Sequence, residues 1–201
     1  MKIIVFGATG ATGAEVLKQA KERGLDVTAF VRDPAKLPDH SPFIQGDATD
    51  RQAVHEALQG QDAVISCLGA SGLGKTTQLS TMTGHILSGM QLQGARSIHY
   101  VASAGIDHEI TGFQGKLAQF ILRNVLKDHR EAVSLIKDSG FRYTIARPMQ
   151  LINGPFTGEY RTNPASIPEG GKKISRADVA HFLLESLDHD AYANASIGLS
   201  Y

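Results

Sequence analysis

The sequence predicts an α/β domain on a doubly wound parallel sheet, and three observations point there. Short apolar runs rich in β-branched residues alternate with helix-period segments along the chain, the pattern of a parallel sheet covered on both faces. The first run, Lys2-Ile3-Ile4-Val5-Phe6, passes at once into Gly7-Ala8-Thr9-Gly10-Ala11-Thr12-Gly13 and then a helical pattern over 14–23. A second run, Asp26-Val27-Thr28-Ala29-Phe30-Val31, stops at Arg32. Strand, glycine-rich turn and helix in that order make a phosphate site. The helix N-terminus offers unpaired N–H groups, and glycines let the backbone approach a pyrophosphate closely. In such sites an acidic residue about 20 positions after the glycines takes a ribose 2′-hydroxyl, whereas an Arg accommodates a 2′-phosphate. Arg32 occupies that place, so the opening reads as an NADP(H) site. The spacing is G-x-x-G-x-x-G, and the strand–turn–helix setting is what gives it specificity.

The remaining elements follow in order. Asp33-Pro34 opens a short turn, and Pro42 precedes a third strand over 43–46 that stops at Asp47. A helix over 50–59 carries Ala53, Val54, Ala57 and Leu58 on one face, and 62–68 is a fourth strand. A glycine-rich loop leads into a helix over 76–93, a fifth strand over 98–102, and one long helix over 115–138 that ends at Gly140. Strand six covers 143–146, and Pro148 removes a ladder donor, so the sheet should be left there. Residues 154–173 hold three prolines and four glycines without a period, which suggests a surface excursion or a small cap on the substrate side. Ser175 and Asp178 form a capping box for a helix running to Leu187, and 196–201 offers a last strand. All 201 residues then make a single domain.

Composition narrows the partners. Twenty basic and 20 acidic residues balance, so neither nucleic acid nor a membrane is expected. No apolar run is long enough to span a bilayer. A cleaved signal peptide would remove the first strand, and Cys67, the single cysteine, suits a reducing cytoplasm as a buried thiol. His55, His85, His108 and His181 show no metal-ligand spacing, so no metal is expected. The expected assembly is a monomer or weak homo-oligomer.

A second glycine motif competes for a nucleotide. Gly69-Ala70-Ser71-Gly72-Leu73-Gly74-Lys75-Thr76 matches G-x-x-x-x-G-K-[ST] in full, after a strand and before a helix. A triphosphate site there also needs a strand-end carboxylate for Mg²⁺, yet the downstream strands end in Ser103 and Arg147. The loop instead belongs beside the topological switch, where a dinucleotide crosses the sheet.

Acid–base machinery is harder to find. None of Tyr100, Tyr143, Tyr160, Tyr192 and Tyr201 has a Lys four residues on, so a Tyr–Lys pair of the dehydrogenase kind is missing from the sequence. Ser103 stands at the end of strand five, either orienting a carboxamide or carbonyl or merely tying down its turn. His129 sits in the long helix, facing either cofactor or solvent, and Lys127 and Glu131 one turn apart read as a solvated pair.

With these residues in view, the chain resembles the atypical short-chain dehydrogenase/reductases, the NmrA-like NAD(P)-binding group. It is most similar to the biliverdin-IXβ reductase, or flavin reductase, branch. The resemblance rests on Phe6-Gly7-Ala8-Thr9-Gly10 with Thr12-Gly13, Val31-Arg32-Asp33 with Leu37-Pro38, Gly46-Asp47, and Gly60 to Ile65. It continues through Ser139-Gly140, Thr157-Gly158 with Tyr160, Ile174-Ser175, Asp178 and Tyr201. It implies a Rossmann fold, with Gly7, Thr9, Gly10, Ala11 and Thr12 on the pyrophosphate and Arg32 on the 2′-phosphate. Asp47 and Ala48 would flank the adenine, Leu68 and Gly69 the ribose and phosphates, and Ser103, His129 and Pro148 the nicotinamide. Where that branch has a His after the Pro ending strand six, this chain has Gln150, the third catalytic candidate, and the loop over 105–114 also differs. The expected activity is NADPH-dependent hydride transfer to a planar conjugated acceptor: a flavin, a bilin or a quinone. The alternatives are a non-catalytic NADP(H) sensor and an enzyme of the sugar-nucleotide epimerase kind.

Overall fold

The computed structural model describes residues 1–37, 41–69, 72–107, 109 and 113–201. Pro38, Ala70, Ser71 and His108, named above, lie outside the described residues. In chain order the strands are β1 (Lys2–Phe6), β2 (Asp26–Val31), β3 (Phe43–Gln45), β4 (Ala63–Ser66), β5 (Ser97–Val101) and β6 (Arg142–Pro148). They continue with β7 (Gln150–Ile152), β8 (Arg161–Asn163), β9 (Lys173–Ser175) and β10 (Ala195–Ser200). The helices are α1 (Ala11–Glu22), α2 (Arg51–Ala57), α3 (Gln78–Gln93), α4 (Phe113–Ile121), α5 (Arg123–Asp138) and α6 (Arg176–Ser186).

Eight strands form one sheet in the order β3-β2-β1-β4-β5-β6-β10-β8, parallel except for β8. The strand order reverses between β1 and β4, which opens a crevice at their carboxyl ends. Alternate residues of β1 serve opposite layers. Ile4 and Phe6 face α2, α3 and α5, while Ile3 and Val5 face α1 and α6. Burial on both faces is why these strands read as nearly unbroken apolar runs.

The doubly wound architecture and single domain are as expected, with three differences in detail. The long helix expected over 115–138 is two helices, because Leu122 takes a turn conformation between α4 and α5. No Pro or Gly marks this break. β6 runs two residues past the expected end, to Pro148. Its carbonyls at Ala146 and Pro148 accept from Ala102 and Ala104, so Pro148 turns its donorless nitrogen toward the end of β5, where the ladder has already stopped. Residues 154–173 form a packed cap that supplies β8 to the sheet edge, with β7 and β9 paired beside it. A Cβ on Gly171 would lie on the Ser200 hydroxyl, and one on Gly198 would meet the Ser166 carbonyl, so the cap lies directly on β10, backbone to backbone at Gly198 and backbone to side chain at Gly171.

Asp178 fastens that cap. The fully buried carboxylate accepts from Thr157 N–H (2.9 Å), the Thr157 hydroxyl (2.8 Å), Gly158 N–H (3.0 Å), the Ser175 hydroxyl (3.1 Å) and the Tyr201 hydroxyl (2.6 Å). Only half of the expected capping box forms: Ser175 Oγ accepts from Asp178 N–H, but Ser175 N–H donates to the Tyr201 hydroxyl rather than to the Asp178 carboxylate. Burial alone would raise the Asp178 carboxyl; the bonds from Tyr201, Thr157 and Gly158 outweigh it and hold the pKa low.

Two histidines are locked inside uncharged. His99 on β5 bonds Ser186 Oγ at 2.7 Å, and burial, with the Arg142 charge, pushes its pKa down to about 3. His129 on α5 bonds Tyr100 Oη at 3.0 Å; burial pushes it to about 4 against the opposing pull of Asp128. Both folded values lie below the unfolded value of about 6.5, so the unfolded chain binds more protons and stability is lost as pH falls through 6.5 toward 4. The expected loss at pH 5 is on the order of 2 kcal/mol per histidine. Urea unfolding at pH 7.5 and pH 5 measures it. A midpoint that does not move over that interval contradicts two neutral buried histidines.

Candidate functional site

The crevice at the carboxyl ends of β1, β2, β3 and β4 is built from five short pieces. Gly7 and Thr9 come from the first turn, Phe30, Val31 and Arg32 from the end of β2, and Gly46, Asp47 and Ala48 from the end of β3. Leu68 and Gly69 follow β4, and Gln78 and Met82 reach in from α3. Arg32 is exposed at the rim. Beside it, Asp47 Oδ1 accepts from Thr49 N–H at 2.9 Å and from the Thr49 hydroxyl at 2.8 Å. The backbone bond from Thr49 is the main reason the Asp47 carboxyl lies below its ordinary range, and Arg32 adds its charge against the cost of burial.

The three glycines of the turn do different work. Gly7 has φ +75°, and a Cβ there would meet the Cys67 carbonyl oxygen at 2.5 Å. Gly13 sits inside α1, where a Cβ would meet the Gly7 carbonyl oxygen at 2.3 Å. Both are set by contact of backbone with backbone. Gly10 is the N-cap of α1, with its nearest obstacle at 3.2 Å and its surface exposed. No side chain caps α1, and its first turn holds no acid. The start of the helix, with Ala11 also exposed, therefore presents N–H groups and a positive dipole end to the crevice.

The second glycine motif departs from a triphosphate loop. In such a loop the Lys and the following hydroxyl open the helix, but α3 begins at Gln78, with Lys75 and Thr76 in irregular chain before it. Its N-terminus is also filled from within. Buried Asp128 of α5 accepts from Leu79 N–H (3.0 Å), Ser80 N–H (3.0 Å) and the Ser80 hydroxyl (2.7 Å). A carboxylate already occupies the position a phosphate would need. Ala70 and Ser71 of the motif lie outside the described residues.

The expected site residues fall into two groups. Gly7, Thr9, Arg32, Asp47, Ala48, Leu68 and Gly69 line the crevice, while Thr12 is buried just inside α1. The proposed nicotinamide side is more dispersed. The Ser103 hydroxyl donates to Ala104 O at 3.0 Å, and Gln150 is exposed on β7. His129 faces neither crevice nor solvent, because the inner side of α5 turns it onto Tyr100 in the core. Gln78, Met82 and Phe30 were not expected. Gln78 and Met82 reach the crevice only through the packing of α3, and no local pattern marks them.

Arg147 organises the far end. It is 2% exposed; Nη1 pairs with Glu109 Oε1 at 2.6 Å and Asp107 Oδ2 at 3.3 Å, and Nη2 donates to Ser196 O at 3.2 Å. Ala104 N–H donates to Pro148 O at 2.9 Å. The chain leaving β5 at Ser103 is thus clamped to the end of β6.

Sheet order, crevice and uncapped helix together define a Rossmann-type dinucleotide-binding fold. Residues 7–190 match the NAD(P)H-binding family, and the chain belongs to that family. An uncharacterized protein of Bacillus subtilis (strain 168), YwnB, is 26% identical over 96% of this chain and 95% of its own length. A Rossmann-fold NAD(P)-binding family protein from Shigella flexneri superposes with a TM-score of 0.79 at 26% identity, covering 100% of this chain and 93% of its own. ChuY of Escherichia coli O157:H7, described as an anaerobillin reductase, shares the fold with a TM-score of 0.84 at 23% identity, covering 100% and 97% of the two chains.

The glycine geometry separates folding from binding. Gly13→Ala should cost about 3 kcal/mol in urea unfolding, because its Cβ meets backbone that cannot turn aside. Gly10→Ala should stay within about 1 kcal/mol of the parent. Equal costs at the two positions would contradict the division of roles.

Proposed function

We propose that this protein is an NADPH-dependent reductase that passes hydride to a planar conjugated acceptor. The observation that carries the reading is Arg32 at the crevice rim, in line with an uncapped α1 N-terminus and a turn in which Gly7 leaves no room for a side chain. These groups fit a dinucleotide: N–H donors for the pyrophosphate, a guanidinium for the 2′-phosphate, and Asp47 and Ala48 beside the adenine. When bound, NADPH supplies the hydride, and the acceptor gains one further proton.

The chain's own residues position rather than protonate. Burial raises the Tyr100 and Tyr160 hydroxyls far above neutrality, so neither is poised to give up a proton at pH 7. Ser103 offers a hydroxyl just past β5, where it donates to Ala104 O and the next residue's N–H is held by Pro148 O. A flavin, bilin or quinone spreads the added charge over its ring system and takes its proton from solvent, so orientation supplies much of the rate. The fold shared with ChuY is consistent with an acceptor of this kind.

Titration with NADPH and NADH tests the cofactor. Arg32 should favour NADPH by roughly ten- to a hundredfold, and Arg32→Asp should reverse the order. Equal affinities would remove the assignment.

NADPH oxidation with FMN, quinones and bilins tests the reaction. Ser103→Ala should lower kcat by about one to two orders of magnitude while NADPH still binds. Tight NADPH binding with no oxidation above background across that panel would instead favour the sensor reading.

A further inference from the structure

Among the described residues, α4 and the start of α5 carry a run of exposed apolar side chains. Leu117, Phe120 and Ile121 are 51, 63 and 52% exposed, three and four residues apart and so on one side of the helix. Leu122 adds to the same corner, and so does Leu73, whose carbonyl accepts from Asn124 Nδ2 at 3.0 Å. α4 packs chiefly against α5.

The charge here is one-sided. Between Phe113 and Lys127 the sequence holds Lys116, Arg123 and Lys127 and no acidic residue; beyond it Asp128 is buried, and Glu131 lies one turn past Lys127. The Arg123 guanidinium lies 4.4 Å over the Phe120 ring, and Lys127 is exposed one turn further on. The balanced total charge, which suggested no membrane partner, conceals this local excess. A second copy of the chain is a poor occupant, because a two-fold interface would set one cationic face against another. An anionic lipid surface satisfies both features. Its acyl boundary takes the apolar side chains, and its phosphates take the long cationic ones, whose stems lie along the apolar edge.

We propose that the 113–127 segment docks this protein on anionic bilayer surfaces, with α4 lying in the interface plane. Leu117, Phe120 and Ile121 then enter the headgroup–acyl boundary, and Arg123 and Lys127 stay at headgroup level. The proposal stands apart from the reductase reading and uses no residue of the crevice.

Co-sedimentation of the full chain with vesicles tests it. Vesicles of phosphatidylcholine with about 30% phosphatidylglycerol should bind the protein at low salt, and pure phosphatidylcholine should bind it far less. About 0.5 M NaCl should weaken the binding, since exposed charges are then screened within a few ångströms. The double variant Phe120→Glu/Ile121→Glu should abolish binding, and Arg123→Glu/Lys127→Glu should weaken it by about tenfold or more. Urea midpoints and NADPH affinity of both variants should match the parent. No binding to the anionic vesicles, or equal binding by the variants, overturns the proposal. So does concentration-dependent self-association that Phe120→Glu/Ile121→Glu removes, which would give the face to a second copy.

Discussion

Where α1 begins is set by two contacts that admit no side chain: Gly7 against the carbonyl of Cys67, just past β4, and Gly13 against the Gly7 carbonyl. They press the first turn onto the neighbouring strand and bring the helix start down over the end of β1. Close packing of this sort tolerates little adjustment, because backbone atoms on both sides are already held by the ladder. The crevice between β1 and β4, the open N–H groups of α1 and the reach of Arg32 from β2 all take their positions from it.

Around this rigid centre, three buried charges hold the surrounding chain in place. Asp128 closes the N-terminus of α3, Arg147 draws Glu109 back onto the end of β6, and Asp178 gathers Thr157, Gly158 and Tyr201. A buried charge left without its partner is expensive, so each arrangement is narrowly defined even where its net stabilisation is small. α2 is capped by Asp50, α3 by Asp128 and α6 by Ser175, whereas α1 and α5 have no side-chain cap. The open donors of α1 lie where an anionic ligand fits.

What was legible in the chain follows the range of the forces involved. Strands β1 to β6 and β10, the glycine turn, and the strand-end places of Arg32 and Asp47 were readable because each depends on neighbours within a few residues. The Ser175–Asp178 cap was readable for the same reason, whereas the recruitment of Tyr201 to it was not. The short β7, β8 and β9 were not readable either, since they form only by pairing with distant chain. Helical periodicity ran unbroken through Leu122, so nothing local announced the separation of α4 from α5. The full phosphate-loop motif at Gly69–Thr76 misleads on sequence alone, since the carboxylate that disables it lies 52 residues past Thr76, at Asp128. His129 had no pattern to say which side of α5 it occupied. Tyr100 on β5 settles that, and only the packed sheet brings the two together.

A crystal structure of the protein grown with NADP⁺ tests the central claim most directly. The account predicts the pyrophosphate over the first turn of α1, within hydrogen-bond distance of the backbone N–H groups after Gly10, and the 2′-phosphate paired with Arg32. A dinucleotide seated instead on the Gly69–Thr76 loop, or one whose 2′-phosphate turns away from Arg32, would contradict it.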